Sequence, residues 1–142
     1  MEMADVMVEK GLDKLGYVYV GIDCGWDLRE RAPNGDLQPD PKKFPDGIKA
    51  VADYVHSLGD GLLKLGIYTE HDTADCCGGP GMKGFEDQDA KFYKDNRIQY
   101  LKVDSCAGHD LNATTMYQNY ANIRDALNRS GNHVCKWRMR VL

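Results

Sequence analysis

Two hydrophobic periodicities alternate along these 142 residues, and no other feature limits the fold as strongly. Residues 2–14 place Met3, Val6, Met7, Val8 and Leu12 at helical spacing, with Leu15 continuing the stripe and Gly16 closing it. The run Tyr17-Val18-Tyr19-Val20-Gly21-Ile22 then reads as a buried strand ending at Asp23. A polar loop with four prolines and an Asn34-Gly35 turn occupies 27–46, and Ile48, Val51, Ala52, Val55 and Leu58 form a second helical stripe. The pattern repeats as a strand over 62–68, a glycine-rich loop over 70–84, a helix over 85–96 and a strand over 99–104. It ends with a helix from Asn112 or Thr114 to Asn128 and a weak strand from His133. Strands alternating with helices imply an α/β fold whose sheet is parallel, with right-handed crossovers.

In such a sheet the strand C-termini share one face, and that is where ligands bind. Asp23, Cys24 and Trp26 follow the first strand, Glu70 and His71 the second, and Lys102, Asp104 and Cys106 the third. Taken singly, these acids fit solvated loop entries or helix caps. Taken together, three successive strands deliver an acid to one face. Lys102 also sits two residues before Asp104, on the same side of its strand. A carboxylate beside a cation stays ionised, which suits a nucleophile or an electrostatic stabiliser. Asp23 as an acceptor of paired hydroxyls and Trp26 as a flat apolar platform fit a carbohydrate pocket, and an acid pair fits glycoside hydrolysis.

Composition narrows the partners. A formal net charge of −4 gives no electrostatic footprint for nucleic acid or an anionic membrane. The longest uncharged apolar stretch, Tyr17 to Ile22, is far shorter than the roughly 20 residues that span a bilayer. The N-terminus carries Glu2 and Asp5 where a signal peptide carries bases, so no signal peptide is expected in this chain. The five cysteines, Cys24, Cys76, Cys77, Cys106 and Cys135, match no CxxC motif. Cys76 and Cys77 with His71, Asp72 and Asp75 could be grouped as a metal cluster, but vicinal cysteines chelate one zinc poorly. A disulfide from one of the pair to Cys106 is the other reading, in an oxidising compartment.

The motifs also carry a resemblance. Tyr17 to Trp26, Pro39-Asp-Pro-Lys-Lys-Phe-Pro-Asp-Gly-Ile-Lys49, Ala52-Asp-Tyr-Val-His-Ser57, Lys64-Leu-Gly-Ile-Tyr68, Glu86-Asp-Gln-Asp-Ala90 and Tyr100-Leu-Lys-Val-Asp-Ser-Cys106 occur in an order that resembles glycoside hydrolase family 27. That family comprises the α-galactosidases and α-N-acetylgalactosaminidases. The likeness runs from residue 1 to about 131, leaving a divergent tail over 132–142. It implies a single truncated catalytic domain over 1–142: about half of a (β/α)₈ barrel, from the second to roughly the fifth βα unit. A complete barrel needs roughly 250 residues.

The resemblance also implies roles. Asp104 is the nucleophile of a retaining mechanism. Asp23 and Lys102 contact the sugar, Tyr68 lies against the nucleophile, and Cys76 pairs with Cys106. Neither metal nor organic cofactor is needed. The substrate is an α-galactoside oligosaccharide or glycoconjugate, and the lineage is secreted, lysosomal or vacuolar. Cys24 stands where the family places a second sugar-contacting acid, Cys77 where it places a small residue, and Lys136 at its specificity-setting Glu. The acid/base Asp falls some thirty residues beyond that point and is not expected within these residues. A half-barrel leaves an edge and a core flank open, which invites a homodimer. The alternatives are an α-N-acetylgalactosaminidase, or a non-catalytic remnant that binds sugar weakly or acts as an interaction module.

Overall fold

A computed structural model describes residues 1–106 and 112–131, and the backbone of 135–137. Its elements are α1 (Glu2–Glu9), β1 (Tyr19–Ile22), α2 (Gly47–Ser57), β2 (Lys64–Glu70), α3 (Glu86–Asp95), β3 (Tyr100–Asp104), α4 (Ala113–Ser130) and β4 (Cys135–Trp137). The four strands form one parallel sheet in the order β1-β2-β3-β4. Each strand therefore neighbours the next in sequence, as helical crossovers of one hand require. The α/β architecture with a parallel sheet is the one its alternating periodicity predicts.

The first helix is shorter than its stripe. Gly11, at φ +68°, takes the left-handed position that ends α1. Its N–H bonds to the Val8 carbonyl, and the Leu12 N–H bonds to the Met7 carbonyl. This double bond pattern closes a helix wherever a glycine can accept positive φ. Asp13–Leu15 continues only as a 3-10 turn. The fourth helix is longer than expected, because both ends are capped. The Asn112 Oδ1 accepts the Thr115 N–H at 2.9 Å, and Gly131 takes φ +68° past the last turn.

The core lies between the sheet and its helices. Leu65, Ile67 and Leu101 of the strands meet Ile48, Ala52 and Val55 of α2, Ala90 and Tyr93 of α3, and Ile123, Ala126 and Leu127 of α4. The strands alternate around this layer. In the register Gly66↔Tyr100, Tyr68↔Lys102 and Glu70↔Asp104, paired residues project to the same side of the sheet, opposite the core layer. Gly66 makes this side possible, since a Cβ there would collide with the Tyr100 ring. The candidate side chains Tyr68, Lys102 and Asp104 are thus carried by the same strands that build the core, at the alternate positions.

Candidate active site

Lys102 ties the strand ends together. Its Nζ lies 3.0 and 3.2 Å from the two carboxylate oxygens of Asp23, beyond β1, and 3.9 Å from Asp104 Oδ2 on its own strand. On the way it passes 4.9 Å above the Tyr68 ring of β2. One ammonium therefore links two carboxylates across three strands. The Cys24 N–H and the Lys102 ammonium hold the Asp23 carboxyl below the usual carboxylate range, against a small opposing effect of burial. Asp104 is more enclosed, with a side chain 17% exposed, and its Oδ1 accepts the Ser105 N–H at 2.9 Å. A half-sheltered carboxylate at the end of a strand, next to a cation, has the placement of a nucleophile.

Tyr68 is buried, and its hydroxyl lies 2.7 Å from Cys76 Sγ, which is itself 3.7 Å from Asp104 Oδ2. The phenol thus approaches Asp104 across the sulfur rather than touching it. Burial, reinforced by the charges of Asp104, Glu70 and Asp75, pushes the Tyr68 hydroxyl far above its ordinary value and keeps it neutral.

The sheet's open end is roofed by two loops, 23–46 and 71–85, and these are held by links invisible to periodicity. Cys76 pairs with Cys106 and Cys24 with Cys77, at Cα separations of 5.3 and 5.9 Å. Adjacent cysteines thus staple one loop to the ends of both β1 and β3. Arg31 forms a two-pronged pair with buried Asp89 at 2.7 Å and also donates to the Gly81 and Gly35 carbonyls. At Gly81 a Cβ would land on the Asp72 carbonyl, so only glycine lets the loop pass there.

The family model described as Alpha galactosidase A matches residues 1–141. The chain belongs to this family. An alpha-galactosidase A from Cellvibrio japonicus (strain Ueda107) is 44% identical over 139 residues, which is 95% of this chain and 33% of that protein. An alpha-N-acetylgalactosaminidase from Gallus gallus is 40% identical over 141 residues, covering 96% of this chain and 33% of that protein. The alpha-galactosidase from Saccharomyces cerevisiae with raffinose superposes with a TM-score of 0.86 at 34% identity, over 95% of this chain and 29% of that one. This Alpha galactosidase A family chain spans about a third of the length of these relatives.

Asp23, Lys102 and Asp104 come together, while Tyr68, expected against Asp104, reaches it only across Cys76. The Cys76–Cys106 pair forms as the resemblance implied. Trp26 does not join them. It is 3% exposed, stacks on Phe92 and donates its indole N–H to the Tyr68 carbonyl at 3.0 Å. The platform expected of it is replaced by a supporting role under Tyr68, because an apolar ring at the base of the loop gains more from the core than from solvent. Cys24 and Cys77 are a correction too: each is the other's partner, rather than an isolated departure from the family pattern. With both sulfurs of the Cys76-Cys77 pair in disulfides, neither offers a thiolate, and the metal-cluster grouping with His71, Asp72 and Asp75 loses its best ligands. Glu70, Cys76 and Cys106 do lie close enough to share an ion, but the same disulfide occupies both sulfurs. The side chain of Lys136 lies outside the described residues.

Sequence reasoning did not foresee the Arg31–Asp89 pair or the buried side chains of Glu70 and His71. The signal for the first was an Arg in a loop otherwise read as solvated; for the second, local sequence carries none, because Glu70 and His71 stand in a polar stretch, Thr69 to Thr73, that reads as a solvated strand exit.

Proposed function

We propose that this chain carries the nucleophile side of a retaining α-galactosidase site. The observation that carries this reading is the Lys102 ammonium bridging Asp23 and Asp104 at the ends of successive parallel strands. Asp23 and Lys102 face the same space and offer an acceptor and a donor to neighbouring sugar hydroxyls. Asp104 attacks the anomeric carbon, the glycosidic C–O bond breaks, and a glycosyl ester on Asp104 results. A second carboxylate, which the family pattern puts outside these 142 residues, protonates the departing oxygen and then activates the water that releases the sugar. No step in this scheme calls for a metal or an organic cofactor.

The substrate class is a terminal α-D-galactosyl residue on an oligosaccharide or glycoconjugate. The second reading, an α-N-acetylgalactosaminidase, draws support from the Gallus gallus relative, which is 40% identical. The parallel order of the four strands, with all functional side chains at one end, fits a segment of a (β/α)₈ barrel. Two disulfides fit a secreted, lysosomal or vacuolar lineage. No helix among the described residues is long and apolar enough to cross a membrane.

Intact-mass measurement after incubation with a 2-fluoro α-galactosyl donor bearing an activated leaving group tests the reading, because such a leaving group needs little protonation. The expected result is one galactosyl-sized adduct, absent in Asp104→Ala. No adduct on a chain shown to be folded overturns catalysis and leaves a remnant that binds sugar or another protein.

A further inference from the structure

The segment Asp104-Ser105-Cys106 is gripped by groups that the proposed chemistry does not use. The backbone N–H of His71 donates to the Asp104 carbonyl at 3.3 Å, and the Tyr120 hydroxyl donates to the same oxygen at 3.4 Å. Glu70 Oε2 accepts the Cys106 N–H at 2.8 Å, while its Oε1 accepts the His71 N–H at 3.0 Å. The His71 imidazole lies 3.0 Å from the Ser105 hydroxyl through Nε2 and 3.2 Å from Asn119 Nδ2 through Nδ1. An amide nitrogen can only donate, so Nδ1 is the acceptor and Nε2–H faces Ser105.

Glu70 and His71 are both fully buried, and Asn119 nearly so. The Tyr120 ring packs against the imidazole with centroids 4.8 Å apart. Filling this space with a carboxylate, an imidazole and an amide is a costly arrangement, since apolar side chains of similar volume stabilise a core as well or better. What the polar set provides is direction: hydrogen bonds fix angles, and here they converge on three consecutive residues. Moreover, Asn119 and Tyr120 lie on α4, so the grip couples the β3 end to a helix packed on the opposite side of the sheet from the open cluster.

We propose that His71, Glu70 and Tyr120 are positioning residues that fix the orientation of the Asp104 carboxylate by clamping residues 104–106, His71 through the Ser105 hydroxyl, Glu70 through the Cys106 N–H and Tyr120 through the Asp104 carbonyl. This rests on Asp104 being the nucleophile. The clamp touches no sugar-binding group, so its loss alters the rate of attack while leaving sugar binding by Asp23 and Lys102 unchanged. A displacement of about 1 Å at a reacting atom costs up to about 100-fold in rate.

The test is the concentration dependence of labelling by the activated 2-fluoro galactosyl donor in four proteins: the parent, His71→Leu, His71→Gln, and Ser105→Ala combined with Tyr120→Phe. The maximal labelling rate is expected to fall at least about tenfold in His71→Leu and in the double variant, with half-saturation unchanged within about twofold. His71→Gln, which keeps a polar reach toward Ser105, is expected to recover most of the rate. Should His71→Leu fail to fold, the double variant carries the test, because it removes only two hydroxyls. A maximal rate in the double variant within twofold of the parent overturns the positioning role. If the folded parent takes no label, the functional reading falls, and the ¹³C carboxyl resonance of Asp104 then decides. A shifted or broadened signal in the double variant upholds the clamp, and an unchanged one overturns it as well.

Discussion

Asp27 and Asp75 flank Gly79 so closely that a Cβ there would lie 3.0 to 3.3 Å from their carboxylate oxygens. Asp27 Oδ1 is buried and has no hydrogen-bond partner among the described residues. Burial first, and the charge of Asp75 in addition, raise the Asp27 carboxyl to about 7. A carboxyl that keeps its proton to about 7 when folded, and to about 4 when unfolded, favours the folded state at low pH. It loses that advantage as the pH climbs through this window. Asp27→Asn copies the protonated form. Urea unfolding at pH 5 and pH 8 is therefore expected to show a smaller drop in the variant, with a gain of about 1–2 kcal/mol at pH 8 after allowance for partial solvent screening. Asp89, raised to about 6 by burial despite Arg31, leaves some slope behind. A variant as sensitive to pH as the parent would show that Asp27 is not the titrating group.

The elements owe their ends to local chemistry and their cohesion to links between loops. Gly11 and Gly131 stop α1 and α4 at positive φ, and both effects belong to single residues. The Cys24–Cys77 bond acts differently: it joins points 53 residues apart and ties the β1 exit to the roof over the cluster. By closing so long a loop it restricts the unfolded chain, an effect of about 2–4 kcal/mol. Replacing both residues, Cys24→Ser with Cys77→Ser, should lower stability in urea by that amount while the Cys76–Cys106 bond survives peptide mapping. Unchanged stability would mean that the Cys76–Cys106 bond and the Arg31–Asp89 pair hold the roof without it.

For the whole molecule, the exposed flank at β1 matters most. Tyr17 is 64% exposed and Tyr19 39%, beside exposed Leu15 and Leu62 and a β1 edge that pairs with no other strand among the described residues. A parallel sheet normally has both faces covered, and an open edge is a template for pairing with another chain. A chain of these 142 residues is expected to cover this flank by self-association. Light scattering should report a species larger than a monomer at micromolar concentration, shifted toward monomer by Tyr19→Lys, which places a charge on the edge. A monomer at every concentration would sink this reading.

Some of this was legible residue by residue. Period-two spacing put Lys102 and Asp104 on one side of β3, and the alternation of helices and strands brought Asp23 to the same end of the sheet, because both are local properties repeated along the chain. The same spacing said nothing about which loops would meet. That Cys24 would find Cys77, that Arg31 would reach Asp89, and that Trp26 would turn inward under Tyr68 depends on how two long loops fold over the strand ends. The sequence by itself determined the elements, their parallel order and the acids at their ends. Only the tertiary structure decided the pairing across the roof and the buried grip of Glu70 and His71 on the Asp104 segment. Periodicity records which side of an element is apolar, whereas partners far apart in sequence are chosen by shape and by the need to satisfy every buried polar group.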